Sequence, residues 1–490
     1  MTTTGTLSRD ALYVGGAWRT PAGATPIEVH EAATEEVLAT VPGGDAADVG
    51  AAVTAAREAF PGWSATPVGE RARLLRELAD GLDARGDDLA TVMAREVGTP
   101  IATAHRVQVG LGVAVFRSMA DLAEQVPAQE RIGNSLVLRV AAGVVGAITP
   151  WNYPLYQLAA KVGPALAAGC TSVVKPSSVA PLAAFAVADV AHDIGLPPGV
   201  LNVVTGRGAS AGEVLVQHPD VDLVSLTGST GAGARVAALA AAGVKRTTLE
   251  LGGKSAFVIC PDADLAAAVD AAVRTAFVNN GQTCSATTRL VVPRAVLAEV
   301  EDRLAAAVGG MVVGDPLDPA TGLGPVASAA QFRTIQGYLD GADGEGTVLT
   351  GGPGRVPEQE RGWFVRPTVV SRLDNGARIA REEIFGPVLA VIPVEDVEEA
   401  VRVANDSDYG LSGAVFAGDV EGAVAVARRL RTGQVSVNGG RFNVLAPFGG
   451  FKRSGVGREL GPHGLAEYTE LVSLQLPVEG PGTTAVPTAP

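Results

Sequence analysis

The period of apolar and polar positions changes several times along this chain, and each change marks an element. Near the start, Leu12-Tyr13-Val14-Gly15-Gly16-Ala17-Trp18 reads as a strand with a turn. Helical spacing then predicts helices over 45 to 60, 69 to 83, 86 to 97 and 103 to 120, with Leu74, Leu75, Leu78 and Leu82 on one face of the second. From 125 to 142 the pattern becomes that of an extended hairpin, with Gly133-Asn134 as the turn between β-prone flanks. Its edges would need partners, which points to a subunit contact.

Between 143 and 253 the alternation is regular. Apolar runs at Val144 to Ile148, Thr171 to Val174, Val200 to Val204, Leu223 to Leu226 and Thr247 to Leu251 are separated by helical segments at 155 to 168, 181 to 194, 208 to 217 and 230 to 242. Continuous apolar strands joined by helices describe a doubly wound parallel sheet covered on both faces, an α/β nucleotide-binding architecture. Each run ends in polar or glycine residues: Thr149-Pro150-Trp151-Asn152, Lys175-Pro176-Ser177-Ser178, Thr205-Gly206-Arg207-Gly208, Thr227-Gly228-Ser229-Thr230-Gly231 and Glu250-Leu251-Gly252-Gly253. Ligands of open α/β sheets bind at the carboxyl ends of strands, so these five loops should converge on one crevice. None is a dinucleotide fingerprint by itself, since the third glycine is missing or misplaced.

A second α/β pattern follows, with strands expected at Leu290 to Val292, Thr347 to Thr350, Phe364 to Val370, Val388 to Val394, Gly413 to Phe416 and Gln434 to Asn438, and helices near 295 to 308, 396 to 404 and 419 to 431. A helix carrying Leu265, Val269, Val273 and Phe277 joins the two patterns and ends just before Asn280-Gly281-Gln282-Thr283-Cys284-Ser285. That polar loop therefore falls at a domain junction, where pockets form. A thiol is a nucleophile only as thiolate and needs a small, open, electropositive setting, which the hydroxyl and amide neighbours of Cys284 suggest. Its own window is equally compatible with a buried, inert thiol.

Composition removes other classes. The 490 residues carry a net charge of -14 with no basic run, so nucleic acid is not an expected partner. Three cysteines, Cys170, Cys260 and Cys284, and five isolated histidines give neither a disulfide framework nor a zinc pattern, so no metal is expected. The first residues have no basic-then-apolar leader and no run of about 20 apolar residues follows, so no membrane association is expected and a cytoplasmic location is.

Taken in order, Pro150-Trp151-Asn152-Tyr153-Pro154, Lys175-Pro176-Ser177-Ser178, Gly228-Ser229-Thr230, Glu250-Leu251-Gly252-Gly253-Lys254-Ser255, Gly281-Gln282-Thr283-Cys284, Glu382-Glu383-Ile384-Phe385-Gly386-Pro387 and the cluster from Phe448 to Glu459 resemble the aldehyde dehydrogenase superfamily from about residue 12 to 475. The resemblance implies the aldehyde dehydrogenase fold: a cofactor-binding domain at 1 to 122 and 143 to 250, a catalytic domain at 251 to 453, oligomerisation strands at 123 to 142 and 466 to 480, and a flexible tail at 481 to 490. It implies NAD or NADP as cofactor, a small-molecule aldehyde as substrate, and a homodimer or homotetramer.

It also implies a hydrolytic mechanism. Cys284 would attack the aldehyde, with the Asn152 amide and the Cys284 N–H holding the oxyanion, a contribution on the order of 3 kcal/mol per donor in other enzymes. Glu250 would activate water against the resulting thioester. Alone, Asn152 would read as a turn residue and Glu250 as a strand-end ion-pair partner. Lys161 and Glu459 resemble a proton-moving pair, with a plain salt bridge as the alternative. The cofactor set is Thr149, Pro150, Trp151, Lys175, Ser177, Ser178, Gly208, Gly212, Thr227, Gly228, Ser229, Leu251, Gly252, Glu383 and Phe385: Lys175 on the adenosine ribose, Glu383 on the nicotinamide ribose, Phe385 beside the nicotinamide, and Ser229 with its glycines under the pyrophosphate. Many NAD-preferring relatives carry Glu where this chain has Ser178; without that repulsion NADP should be tolerated, with Arg207 as candidate phosphate partner.

The substrate tunnel is expected to be lined by Tyr153, Tyr156, Gln157, Ala160, Thr283, Ser285 and Phe442. It should be roomy and without a dense aromatic cage, which disfavours a quaternary-ammonium substrate. Glu470 is expected to pair with Arg246 or Arg458 across a subunit contact. Competing readings are a succinic semialdehyde dehydrogenase type, set back by Ser285 and Ala286 after the nucleophile, and a non-oxidative thiol esterase.

Overall fold

The computed structural model describes residues 7–22 and 25–477, so the tail expected at 481 to 490 and the last residues of the strand expected at 466 to 480 lie outside the described residues. Four sheets organise the described residues, the smallest a two-stranded hairpin. The first has eight strands in the order Gly455–Val456, Arg246–Glu250, Leu223–Thr227, Val144–Ile148, Thr171–Lys175, Leu201–Val203, Leu12–Val14 and Ala17–Arg19. Its five inner strands are parallel. Their connections carry the helices Pro154–Ala168, Leu182–Asp193, Glu213–Gln217 and Thr230–Ala241. The chain steps outward from Val144–Ile148 through Thr171–Lys175 to Leu201–Val203, then returns to the opposite side with Leu223–Thr227. The switch point thus lies between Val144–Ile148 and Leu223–Thr227, and loops at their carboxyl ends open a crevice there.

The second sheet has seven strands: Thr347–Thr350, Thr368–Ser371, Val388–Val394, Arg289–Pro293, Ala256–Ile259, Ser412–Phe416 and Gln434–Val437. All neighbours are parallel except the first pair. Ala256–Ile259, fully buried between two parallel neighbours, is the strand that sequence patterning missed. Four apolar residues directly after a polar loop are too short a run to show a period. The strand expected at Phe364 to Val370 starts only at Thr368, because Pro367 cannot donate to a ladder. The hairpin Ile27–His30 with Val37–Val41 and the helix Ala329–Leu339 were also missed.

The third sheet joins Thr469–Gln475, Ser135–Ala141 and Gln129–Ile132, all antiparallel. Gly133 turns the expected hairpin at a φ of +60°. Glu470, expected to reach across a subunit contact, instead meets Arg246 of its own chain at 2.8 Å. The leucine face expected in the second helix is buried, with Leu74, Leu75, Leu78 and Leu82 packed in the largest core cluster. Among the described residues no helix is long and apolar enough to cross a membrane, and no cluster of His, Cys, Asp or Glu is arranged to hold a metal ion.

Candidate active site

The helix Leu265–Phe277, capped at its start by Asp264, delivers the chain to Asn279 and Asn280, which take left-handed conformations at φ +52° and +60°. Asparagine tolerates this region better than most residues. Both side chains are buried and both are used. Asn279 donates to the Asn152 carbonyl at 2.9 Å and accepts from Thr99 Oγ1 at 2.5 Å. Asn280 donates to the carbonyls of Gly98 and Pro325, each at 2.8 Å, and accepts from the Gly324 N–H. Gln282 donates to the Val97 carbonyl and accepts from the Ala327 N–H at 2.8 Å. Gly281, at φ +73°, passes so close to the Glu383–Pro387 turn that a Cβ would stand 2.1 Å from the Gly386 carbonyl oxygen. The loop before Cys284 is therefore stitched to three other segments.

Asn152 belongs to the same network. Its amide donates to the Gln282 carbonyl at 2.9 Å, and its own carbonyl also accepts from Gln108 Nε2 at 2.8 Å. The second amide hydrogen of Asn152 has no hydrogen-bond partner among the described residues. Thr99, Gln108 and Asn279 escaped sequence reasoning; only the polarity of Gln108 within an apolar helical stretch could have signalled it.

Cys284 is half-buried. Its thiol is pushed well above the ordinary range by burial and then by the carboxylates of Glu383, Glu250 and Glu459, against a small opposing effect of the Ser285 N–H. The electropositive setting expected from the local sequence is thus opposed by three acidic side chains from remote segments. Glu250 ends the strand Arg246–Glu250 and is buried, with Oε2 unpartnered. Burial and the neighbouring Glu459 carboxylate raise it well above its ordinary value, partly offset by Lys161 and Arg458. Lys161 and Glu459 are at most 1% exposed and meet at 2.5 Å, and Lys161 also donates to Thr227 Oγ1 at 2.7 Å. A surface salt bridge is excluded by that burial. Glu459 keeps a second, buried, unpartnered oxygen.

The crevice at the first sheet collects most of the expected cofactor residues. Lys175 ends its strand nearly buried, and burial lowers its ammonium to about 8 with no opposing carboxylate among the described residues. Gly212 lies against its stem, with Gly208 four residues before, and the Thr149 N–H bonds the Lys175 carbonyl. Ser229 caps the helix Thr230–Ala241, and the Gly228 N–H donates to the Glu250 carbonyl at 3.0 Å. Leu251 packs against Gly233. Glu383 accepts from the Gly253 N–H at 2.9 Å, and a Cβ on Gly252 would stand 2.0 Å from its Oε2. Burial raises Glu383 to about 7, with the Gly253 N–H and Lys254 opposing. Pro150 precedes Trp151, whose ring meets Phe385 edge-on at 5.4 Å. Ser177 Oγ turns back to the Val179 N–H, whereas Ser178 lines a cleft of about 400 Å³ together with Arg207 and His30. A nearly buried ammonium without a counter-charge, a capped helix start and a buried carboxyl on the far side fit a dinucleotide.

On the substrate side, Tyr153 shares a 2.7 Å hydrogen bond with Thr283. Tyr153, Tyr156, Phe442 and Phe448 form an edge-to-face series at 6.3, 6.3 and 5.9 Å. This aromatic arm is denser than expected, because Phe442 and Phe448 come from a segment remote from the tyrosines. Gln157 and Ala160 are buried on the tyrosine helix, and Ser285 follows the thiol half-buried.

The model of the aldehyde dehydrogenase family matches residues 18–474. The chain belongs to the aldehyde dehydrogenase family. It is an enzyme that oxidises aldehydes. Over 461 residues, 94% of this chain and 97% of the relative, it is 45% identical to 3-succinoylsemialdehyde-pyridine dehydrogenase of a Pseudomonas species. It is 44% identical over 479 residues to geranial dehydrogenase of Castellaniella defragrans, covering 96% of this chain and 99% of that protein. Among solved structures, aldehyde dehydrogenase C of Pseudomonas syringae, a cysteine-to-alanine variant complexed with NAD+ and octanal, superposes with a TM-score of 0.94 at 48% identity, covering 95% of this chain and 96% of that one. Betaine aldehyde dehydrogenase of Staphylococcus aureus in complex with NAD+ matches with a TM-score of 0.91 at 36% identity, covering 95% and 94%. In this aldehyde dehydrogenase the Asn152 loop is hydrogen-bonded to the Cys284 loop, and the Gly228 loop to the end of the Glu250 strand.

Proposed function

We propose that this aldehyde dehydrogenase converts an apolar aldehyde to its carboxylic acid through a Cys284 thioester that Glu250 helps to hydrolyse. The observation that carries the reading is the pairing of a fixed Asn152 amide beside Cys284 with a buried, unpartnered Glu250 carboxyl. Sγ of Cys284 attacks the aldehyde carbon, and its proton passes to a carboxylate of the acidic surround. Asn152 and the Cys284 N–H hold the oxyanion of the thiohemiacetal. NAD, held by Lys175, Ser229, the Gly252 backbone and Glu383, supplies the hydride acceptor. Glu250, as carboxylate, then takes a proton from the water that attacks the thioester, with Lys161 and Glu459 as the route by which that proton leaves.

The substrate body lies against the aromatic arm. Apolar aldehydes suit it, and octanal and geranial are named for two relatives. One observation keeps an acid-bearing semialdehyde as a second reading: Arg441 is exposed beside Phe442. Arg117, nearer the apolar Val444 and Leu445, is already occupied by Asp80 and Asp83. The enzyme uses NADP as well as NAD, because Ser178 and Arg207 share one cleft without a carboxylate at 178. It assembles as a homodimer or homotetramer in the cytoplasm through the third sheet, whose Ile132, Leu471 and Leu474 are exposed.

The test is kcat/KM for medium-chain, terpenoid and acid-bearing aldehydes with each cofactor, repeated on Ser178→Glu. Apolar aldehydes should lead, and the substitution should depress NADP use by about tenfold or more, as expected for a new like charge beside a phosphate. Unchanged cofactor preference would remove Ser178 from the argument, and a lead by acid-bearing aldehydes would favour the Arg441 reading.

A further inference from the structure

Beyond the reacting groups, the loop that carries Glu250 continues into Lys254 and Ser255 and then into the missed strand Ala256–Ile259. Lys254 is 2% exposed, and so is Arg289 on the adjacent strand. Arg289 spends its guanidinium on neutral acceptors: the carbonyls of Lys254, Val403 and Ala404 and the Asn375 side chain, all between 2.8 and 3.0 Å. The Lys254 ammonium has no hydrogen-bond acceptor among the described residues, and burial together with Arg289 lowers it to about 7 against the opposing Glu383, Glu382 and Glu345. Two hydroxyls, Ser255 Oγ and Thr432 Oγ1, are shut off from solvent with no hydrogen-bond partner, and their residues line one crevice with Lys254.

These groups line one crevice of about 20 Å³, with Tyr409 and Arg431 on its walls. Lys452 adds positive potential nearby, its ammonium bonded to the carbonyls of Asn405 and Ser407 at 2.7 and 2.8 Å. No carboxylate lines the crevice. The nearest acids on that side are engaged, Asp406 with Arg381 and Asp408 with Arg453. Glu383, Glu382 and Glu345 act on Lys254 from outside the crevice lining, Glu382 also accepting from the Tyr338 hydroxyl and Glu345 from the Ile379 N–H. A space of this size holds one water or one monatomic ion. A lining that holds Lys254, Arg289 and Arg431 and no carboxylate, with two unpartnered hydroxyls, favours the ion over the water.

We propose that the crevice bounded by Lys254, Ser255, Arg289 and Thr432 is a binding site for a single halide-sized anion, chloride in ordinary solution. Lys254 Nζ and the two hydroxyls donate to it, and Arg289 contributes field without a direct bond. Tetrahedral oxyanions are too large for the space.

Bromide soaked into crystals of the full chain should give an anomalous peak in the crevice within hydrogen-bond distance of Lys254, Ser255 and Thr432. In solution, chloride should raise the melting temperature above the value in sulfate at equal ionic strength. Thr432→Val, which removes one donor remote from the reacting groups, should weaken halide binding roughly tenfold while leaving kcat unchanged. Lys254→Met should abolish the halide response; if that variant does not fold, Thr432→Val still decides. An ordered water without anomalous signal, an equal effect of sulfate, or an identical halide response in Thr432→Val would overturn the proposal.

Discussion

Two buried polar regions meet at the active site, and they are built on opposite rules. Around Asn279, Asn280 and Gln282, neutral amides are matched to backbone groups in three neighbouring segments, with only Gln108 Oε1 left unpartnered at the edge, so this region has one geometry and little freedom. Around Glu250, Lys161 and Glu459, three ionisable groups share too few partners, and two carboxyl oxygens stay buried and unpaired. Such under-satisfaction is costly in a core and is tolerated where protons must move. In the mechanism proposed above, the amide region holds Cys284 and Asn152 in place and the charged region handles protons.

The largest way to break this contrast is Cys284→Ala, which should lower aldehyde oxidation by at least ~10⁴-fold and remove any esterase activity, followed by NADH absorbance and ester hydrolysis. Retained oxidation would mean that the stitched loop presents something other than the nucleophile. Next is Glu250→Gln. It should slow steady-state turnover roughly 10²- to 10⁴-fold while leaving a rapid first-turnover burst of NADH, because acylation precedes the step that needs the base. A lost burst would move Glu250 from deacylation to activation of the thiol.

Gln108→Ala probes the amide region without touching any ligand. Loss of a buried partner should cost about 1–3 kcal/mol of stability, seen in thermal or denaturant unfolding, and should lower kcat with little change in KM as Asn152 loosens. A stability loss with kcat intact would reduce the network to a structural role. The smallest effect is on cofactor binding. Glu383, raised to about 7, becomes a neutral acid as pH falls below that value, and Lys175, lowered to about 8, loses its charge above it. NAD affinity should therefore be highest between about 7 and 8 and fall on both sides, measurable by quenching of tryptophan fluorescence.

Much of this site was legible because its parts are local. The apolar runs before Thr149, Lys175, Thr227 and Glu250 announce parallel strands, and the loops after them must then share a crevice. The hairpin at Gly133 and the leucine face at 74 to 82 are equally local patterns. Ala256–Ile259 was not legible, since four residues carry too little period to separate a strand from a loop exit. The aromatic arm and the acidic surround of Cys284 were hidden for another reason: no window contains both halves of either.

The sequence by itself determined the order of strands and helices, the glycines that clear a path for backbone, and which side chains are capable of chemistry. Tertiary structure alone decided what those side chains experience. Asn152 finds Gln282 across 130 residues and Lys161 finds Glu459 across 298, and neither distance has a local signature. Burial then sets the charge state, because the cost of an ion depends on everything packed around it rather than on its neighbours in the chain. Cys284 illustrates the division. Its hydroxyl and amide neighbours suggest a ready thiolate, yet burial and the remote Glu383, Glu250 and Glu459 push the thiol well above its ordinary value.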